Sequence, residues 1–240
     1  MAESVLLPDK SVFQVRRRQA RRRRLRRGIV IGLVAAVILT LAWLVGFSAV
    51  LSVQKVEVDG VTLVSPDDVI TAAAVPVGTP LIRVSQAAVA ERVTAALLEA
   101  EAVTISRRWP NTLVIHVTER AIVYQVVYGG AYHWVSADGL KFHTTPDAQP
   151  VPIAVVPVDD QKLLADVAIV VQALPAALAL HLASITALTA DSITLYLDDG
   201  RQVMWGSAEQ SDLKAQVIVP LMNVPGTVYD VSAPSNPAVR

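Results

Sequence analysis

The sequence predicts an α+β protein in three parts: a single amino-terminal transmembrane helix, a small region ordered strand, helix, helix, strand, strand, and a second mixed β region with flanking helices. Three observations carry this. Residues 28–51, GIVIGLVAAVILTLAWLVGFSAVL, are 24 consecutive positions with no charge, Asn or Gln. Between residues 53 and 119, alternating strand patterns bracket two capped helical ones. After residue 121, short strand patterns recur around Asp-Gly turns, with two more helical stretches among them.

Charge frames the first part. Residues 1–27 carry Lys10 and nine arginines against Glu3 and Asp9, whereas residues 28–240 carry eleven basic and nineteen acidic residues, so the formal net charge of zero is a sum of opposites. As a helix rising ~1.5 Å per residue, the uncharged segment spans roughly 36 Å, enough for a hydrocarbon core of about 30 Å with some tilt. Trp43 and Phe47 stand where interfacial aromatics are expected. Basic residues flanking a span are retained on the cytoplasmic side, and only Lys55 opposes the arginines in the twenty residues beyond it.

These features predict a cytoplasmic tail at 1–27, a transmembrane helix at 28–51 and an extracytoplasmic remainder, with membrane lipid as a partner. A cleaved signal is disfavoured by length, since signal h-regions run about 7–15 residues. A nucleic-acid-binding arm is disfavoured too: no aromatic residue is interleaved among the arginines for base stacking. Gly28 and Gly32 have the GxxxG spacing that can support pairing of two copies, although in a span rich in small residues that spacing is more often incidental; a homodimer is one possible partner. With no cysteine, the exported part relies on burial alone, and some 190 residues suffice for one or two domains.

In the first exported region, VQKVEVDGV alternates as a half-buried strand and stops at Asp59-Gly60. Ser65-Pro66-Asp67-Asp68 supplies an N-cap, a proline at the first helical position and two acids favouring the helix dipole, predicting a helix to about Ala74. Pro76 and Gly78 break it. Ser85 then caps QAAVAERVTAALLEA, apolar at helical spacing through Val89, Val93 and Leu97. AVTISRRW and TLVIHVTE follow as strands joined at Trp109-Pro110-Asn111. The expected core is Val56, Val58, Val69, Ile70, Val89, Val93, Leu97, Ile105, Leu113 and Ile115.

The second region reads as strands at 124–128, 131–136 and 140–143, with Asp138-Gly139 as a tight turn. A proline-rich connection from Pro146 to Pro157 leads to a helix at about 160–174. Strands at 184–189, 193–197 and 202–205 follow, the last two joined through Asp199-Gly200, and Ser207 or Ser211 starts a final helix through Leu221.

No catalytic constellation emerges. The chain has no GxSxG, HExxH, Gly-rich phosphate loop or Asp-rich calcium loop. His133 and His143 flank one predicted hairpin but lack a third ligand, so no metal or other cofactor is expected. Asp198 and Asp199 read as turn formers. The chain is therefore expected not to be an enzyme; the competing reading is a membrane-anchored exported cell-wall hydrolase.

The order strand, helix, helix, strand, strand behind a membrane anchor resembles a POTRA domain. The wording goes further. VEVDG after the span, ISRRWPNTLVIHVTERA closing the first region, YHWVSADGLKF, and LDDGRQVMWG before a helix containing Lys214 resemble the FtsQ/DivIB family of bacterial division proteins over nearly the whole chain. The sequence departs from the family at Ala121-Ile122-Val123, where a proline often follows the Glu-Arg pair.

The resemblance implies a POTRA domain at 52–120 with a localising role and an FtsQ-type β domain at 121–240. It implies a bitopic divisome scaffold of the plasma membrane, placed at the septum, that binds FtsB- and FtsL-type partners and supports septal cell-wall synthesis. On the POTRA domain, Arg107 and Arg108 are candidates for a localisation surface. TVYDVSAPSNPAVR matches the partner-binding edge. Val228 to Ser232 is β-prone, and Pro234 and Pro237 lack the N–H a central strand needs, predicting an edge strand with one side unpaired. The expected partner-binding residues are Tyr229, Val231, Ser232 and Ala233, with Lys214 and Gln216 as polar neighbours, engaged by β-augmentation.

Overall fold

The computed structural model describes residues 27–40, 43 and 49–240. The tail at 1–26, with all but the last of the arginines, lies outside the described residues, as does much of the second half of the expected span. Residues 27–40 are helical with exposed side chains. They cover roughly 21 Å at ~1.5 Å per residue. Among the described residues no helix is long and apolar enough to cross a membrane.

The first exported region folds in the expected order. Strand β1 (Lys55–Asp59), the Pro66–Ala73 helix, a short 3-10 turn at Leu81–Arg83, the Gln86–Ala96 helix, β2 (Ala100–Arg108) and β3 (Thr112–Glu119) follow one another, and the sheet order is β1-β3-β2. Ser65 caps the first helix, its Oγ accepting from Asp67 N at 3.2 Å. That helix ends at Ala73, and Ala74 after it has a left-handed φ of 48°. Gly60, with φ 82°, allows the turn after β1 to press on β3; a Cβ there would overlap the Val117 carbonyl oxygen.

Val69, Val89, Val93, Ile105, Leu113 and Ile115 are buried as expected. Val56, Val58 and Leu97 are half-buried, and Ile70 is 38% exposed. The second helix stops four residues short of the expected end, because the chain turns at Leu97–Ala100 and buries Ala100 as the first residue of β2.

The second region is a nine-stranded sheet of order β12-β11-β10-β9-β8-β7-β4-β5-β6. Its strands are β4 (Tyr124–Tyr128), β5 (Ala131–Val135), β6 (Lys141–Thr145), β7 (Ile153–Val155), β8 (Leu182–Thr186), β9 (Ile193–Leu197), β10 (Gln202–Gly206), β11 (Val228–Asp230) and β12 (Ala238–Val239). The Gln161–Ala173 and Ser211–Leu221 helices pack on each other. Leu163, Leu164, Val167 and Ile218 from these helices share one core with Ile185, Leu195, Val203, Trp205 and Tyr229 from the strands. Alternation explains the sidedness: Ile193, Leu195 and Leu197 are buried while Thr194 and Tyr196 between them are half-exposed.

Two strands differ from the expectation. β7 lies inside the proline-rich connection and pairs parallel with both β4 and β8. β12 lies beyond Pro237 and pairs antiparallel with β11. The segment at Val228 to Ser232 is therefore not an edge with one side unpaired: β11 is held between β10 and β12.

Candidate partner-binding edge

Strand β11 is set in place by its neighbours on both flanks. β10 pairs with it in parallel, Val203 opposite Tyr229 and Met204 opposite Asp230. On that side Gln202 N donates to Thr227 O at 2.8 Å, and Val231 N donates to Met204 O at 3.0 Å. On the other flank Val228 N donates to Arg240 O at 2.9 Å and Arg240 N donates back to Val228 O at 2.8 Å. A strand residue turns its N–H and C=O to one flank, and its neighbour turns them to the other. The outward main-chain groups are thus those of Val228 and Asp230, while those of Tyr229 and Val231 face β10.

The expected site residues divide accordingly. Tyr229 and Val231 are buried in the core, at 1% and 0% exposure. The Tyr229 hydroxyl reaches the carbonyls of Val224 and Gly226, each at 3.0 Å, and the Arg201 guanidinium sits 5.9 Å over its ring centre. Ser232 and Ala233 are exposed. Ser232 is tied locally: its N–H and hydroxyl both donate to Asp230 Oδ1, at 3.0 and 2.6 Å. Lys214 is buried, and its Nζ donates to Ser207 O at 2.7 Å. Burial pushes its ammonium below the ordinary lysine value, with Glu209 and Asp191 opposing the shift. Lys214 therefore braces the turn ahead of its own helix. Gln216 is exposed.

A groove missed by the sequence reading adjoins this edge. It has a volume of about 410 Å³, and Leu213, Gln216, Val217, Leu221, Val224 and Pro237 line it. Leu213 and Val224 are exposed at 45% and 47%. The helix spacing 213, 217, 221 was legible as an apolar row, but nothing local to it marks the row as uncovered.

In the first region, Arg107 donates to Val84 O at 2.7 Å and leaves its buried Nε without a partner. Arg108 is exposed and pairs with Glu57, which also pairs with Lys55 at 2.8 Å. Sequence reasoning missed Glu119. Its Oε1 accepts from the N–H groups of Thr62, Leu63 and Val64 at 2.8, 2.8 and 3.1 Å, and its other oxygen accepts from the Thr62 hydroxyl. Burial works against ionisation there, yet these donors outweigh it and hold the carboxyl below the ordinary glutamate value.

Several titratable groups elsewhere pair with near neighbours, while His143 faces Glu99 at 3.3 Å from 44 residues away. Asp199 accepts from Arg201 N at 3.0 Å and from its guanidinium at 2.7 Å, which keeps the carboxyl below its ordinary value. His181 faces Asp198 at 3.1 Å on the surface. His133 contacts the Thr144 hydroxyl at 2.9 Å, and His143 lies edge-on to Trp134 at 4.8 Å between ring centres. Among the described residues, no three His, Asp or Glu side chains are placed to hold a metal ion.

Comparison with known proteins identifies both regions. The FtsQ-type POTRA domain family matches residues 51–120, and the FtsQ/DivIB cell division protein C-terminal family matches residues 125–228. The cell division protein FtsQ of Mycolicibacterium smegmatis is 37% identical over 210 residues, covering 87% of this chain and 63% of its own length. FtsQ of Mycobacteroides abscessus is 31% identical, covering 88% of this chain and 69% of its own. FtsQ of Streptomyces bingchenggensis is 35% identical over 236 residues, covering 93% of this chain and 89% of its own. The chain belongs to the FtsQ/DivIB family of cell division proteins.

Proposed function

We propose that this division protein is a non-catalytic, single-pass scaffold whose exported part docks FtsB- and FtsL-type partners at the β11 end of the large sheet, supporting septal cell-wall synthesis. One observation carries the docking site. Among the described residues, the outward main-chain groups of β11 are covered by a short stretch, β12 and Arg240, and an apolar groove runs beside them. An extended partner segment can add there through main-chain hydrogen bonds while its apolar side chains fill the groove.

The membrane anchor is supported by the helical segment 27–40. Its Ile29, Ile31, Leu33 and Leu39 side chains are exposed, and apolar side chains of that number need a covering that lipid supplies. The tight local pairing of Asp198, Asp199, His133 and His181 supports the non-catalytic reading over the hydrolase, whose chemistry needs titratable groups that converge.

The test is site-specific photo-crosslinking in dividing cells. Probes at Ser232, Leu213 and Gln216 are expected to capture an FtsB-type protein. Capture from Thr144 on β6 at the opposite end of the sheet, with none from these three, overturns the assignment. Topology is checked with a reporter active only outside the cytoplasm: fused after Arg240 it should be active, and fused within residues 1–15 of a truncated chain it should be silent.

A further inference from the structure

The β11 edge has an occupant already. Residues 238–240 lie along it antiparallel, Val239 opposite Tyr229 and Ala238 opposite Asp230. Three further main-chain bonds hold the end: Thr227 N and Val228 N both donate to Arg240 O, at 2.8 and 2.9 Å, and Arg240 N donates to Val228 O at 2.8 Å. The chain leading there from Ser232 is largely exposed, with a turn closed by Asn236 N donating to Ala233 O at 2.9 Å. Its Pro237 is also a wall of the apolar groove. One displacement would therefore uncover the Val228 and Asp230 main chain and open the groove at the same time.

Gly226 shows how close the fit is. A Cβ at this position would overlap Val239 Cγ1 and stand 3.1 Å from Arg240 O. Its φ is not in the left-handed region, so alanine is compatible with the backbone and incompatible only with the seated tail.

From these contacts we infer that residues 234–240 form an intramolecular cap on the β11 edge, competing with the partner's extended segment; this rests on the docking site proposed above. A tethered segment acts at high effective concentration, so two paired residues suffice to hold an edge that the same residues, free in solution, would hold only weakly. A partner segment must outcompete the tethered tail, through more ladder bonds on β11 or through side chains seated in the groove. Its apparent affinity falls in proportion to the fraction of molecules with the cap open.

The test uses the full chain in detergent micelles, the same chain ended at Ala233 with and without Gly226→Ala, and full-length Arg240→Pro, which removes the tail's donor to Val228 O and leaves the edge itself unchanged. The first probe is a fluorescent peptide of the tail's own sequence, SAPSNPAVR. Added at millimolar concentration, to match the effective concentration of the tether, it should bind the shortened chain, bind the full chain at least about 10-fold more weakly because the edge is occupied, and fail to bind a shortened chain that also carries Gly226→Ala. A folded shortened chain that captures the peptide no better than the full chain does overturns the cap.

The second probe is the extracytoplasmic segment of an FtsB-type protein. It should bind the shortened chain about 10-fold more tightly than the unmodified chain, and full-length Arg240→Pro, which loses only the tail's own donor to Val228 O, several-fold more tightly. Equal affinities, with crosslinks from Ser232 retained, overturn the competition and leave the docking site standing. Loss of those crosslinks overturns the docking site instead, while peptide capture still reports on the cap. Should the shortened chain fail to fold, the Arg240→Pro affinity alone decides: equal to that of the unmodified chain, it overturns the cap.

Discussion

Two places in this molecule fasten a loose stretch of chain beside a strand, and they do it by different physics. In the POTRA domain the segment 62–64 is gathered onto one carboxylate, Glu119, by three N–H groups and a hydroxyl. In the β domain the segment 238–240 is laid along β11 chiefly by main-chain pairing, with the Thr227 hydroxyl donating to Arg240 O at 3.4 Å and half-buried Val239 packed against the core. The first fastening is specific to one side chain and charge-assisted, so no other group can take its place. The second is generic, since any extended segment offers the same donors and acceptors. Only the generic fastening suits exchange with a partner.

The largest effect should come from removing the scaffold under the first fastening. Val93 is fully buried in the Gln86–Ala96 helix, and Val93→Asp places an unpaired carboxylate in the core. The expected loss is about 3–5 kcal/mol, comparable to a small domain's whole stability, measured by urea unfolding with the slope checked for two-state behaviour. A variant as stable as the parent would break the assignment of residues 51–120 as one core. Loss of septal recruitment is the expected consequence in cells; recruitment that persists with the domain unfolded would remove its localising role.

Next comes the carboxylate itself. Glu119→Gln keeps the shape but halves the acceptor capacity and removes the charge, with an expected cost of about 1–3 kcal/mol. The pH dependence gives a sharper signature. Glu119 has a folded-state value below its ordinary 4.5, so its contribution is complete above the unfolded value and drains away as pH falls through the folded one. The parent should lose stability below about pH 4.5 more steeply than Glu119→Gln does. Parallel pH curves for the two would show that the carboxylate is not the fastener.

How much of this was legible in the sequence depended on how far each signal extended. The capped helices and the long alternating strands β2 and β3 follow from periodicity over eight or nine residues, and Ser65 and Asp160 cap where their side chains permit. The two missed strands are short and flanked by prolines: β7 has three residues after Pro152, and β12 has two after Pro237. Periodicity needs about four residues to register, and proline reads locally as a breaker even where, at the start of a strand, its missing N–H does no harm.

The site residues show the same limit one level down. The sequence predicts a strand over Val228 to Ser232 as an unpaired edge; β11 spans Val228–Asp230 between β10 and β12, with Tyr229 and Val231 turned inward and the outward backbone belonging to Val228 and Asp230. A period of two makes a one-residue uncertainty a complete reversal of face. Glu119 was invisible because its three N–H donors are 55 to 57 positions away in sequence.

The smallest effect on stability should fall on the second fastening, and its smallness is what the comparison predicts. Ending the chain at Ala233 removes three main-chain bonds to Arg240 and the β12 pairing, all at an exposed edge where water can replace them. The expected cost is about 1.4 kcal/mol, the free energy that a 10-fold occlusion of the edge requires, and no more than a single typical intramolecular hydrogen bond at roughly 0.5–1.5 kcal/mol contributes. Hydrogen exchange reads the difference residue by residue. In the parent, the Val228 amide should exchange through local opening of the tail, well before the Leu63 and Val64 amides held by Glu119. Shortening the chain should speed exchange at Val228 several-fold and leave Val231, bonded to Met204 O, unchanged. If Val231 accelerates equally, the tail is integral to the sheet, its loss loosens β11 from β10, and the two fastenings are alike after all.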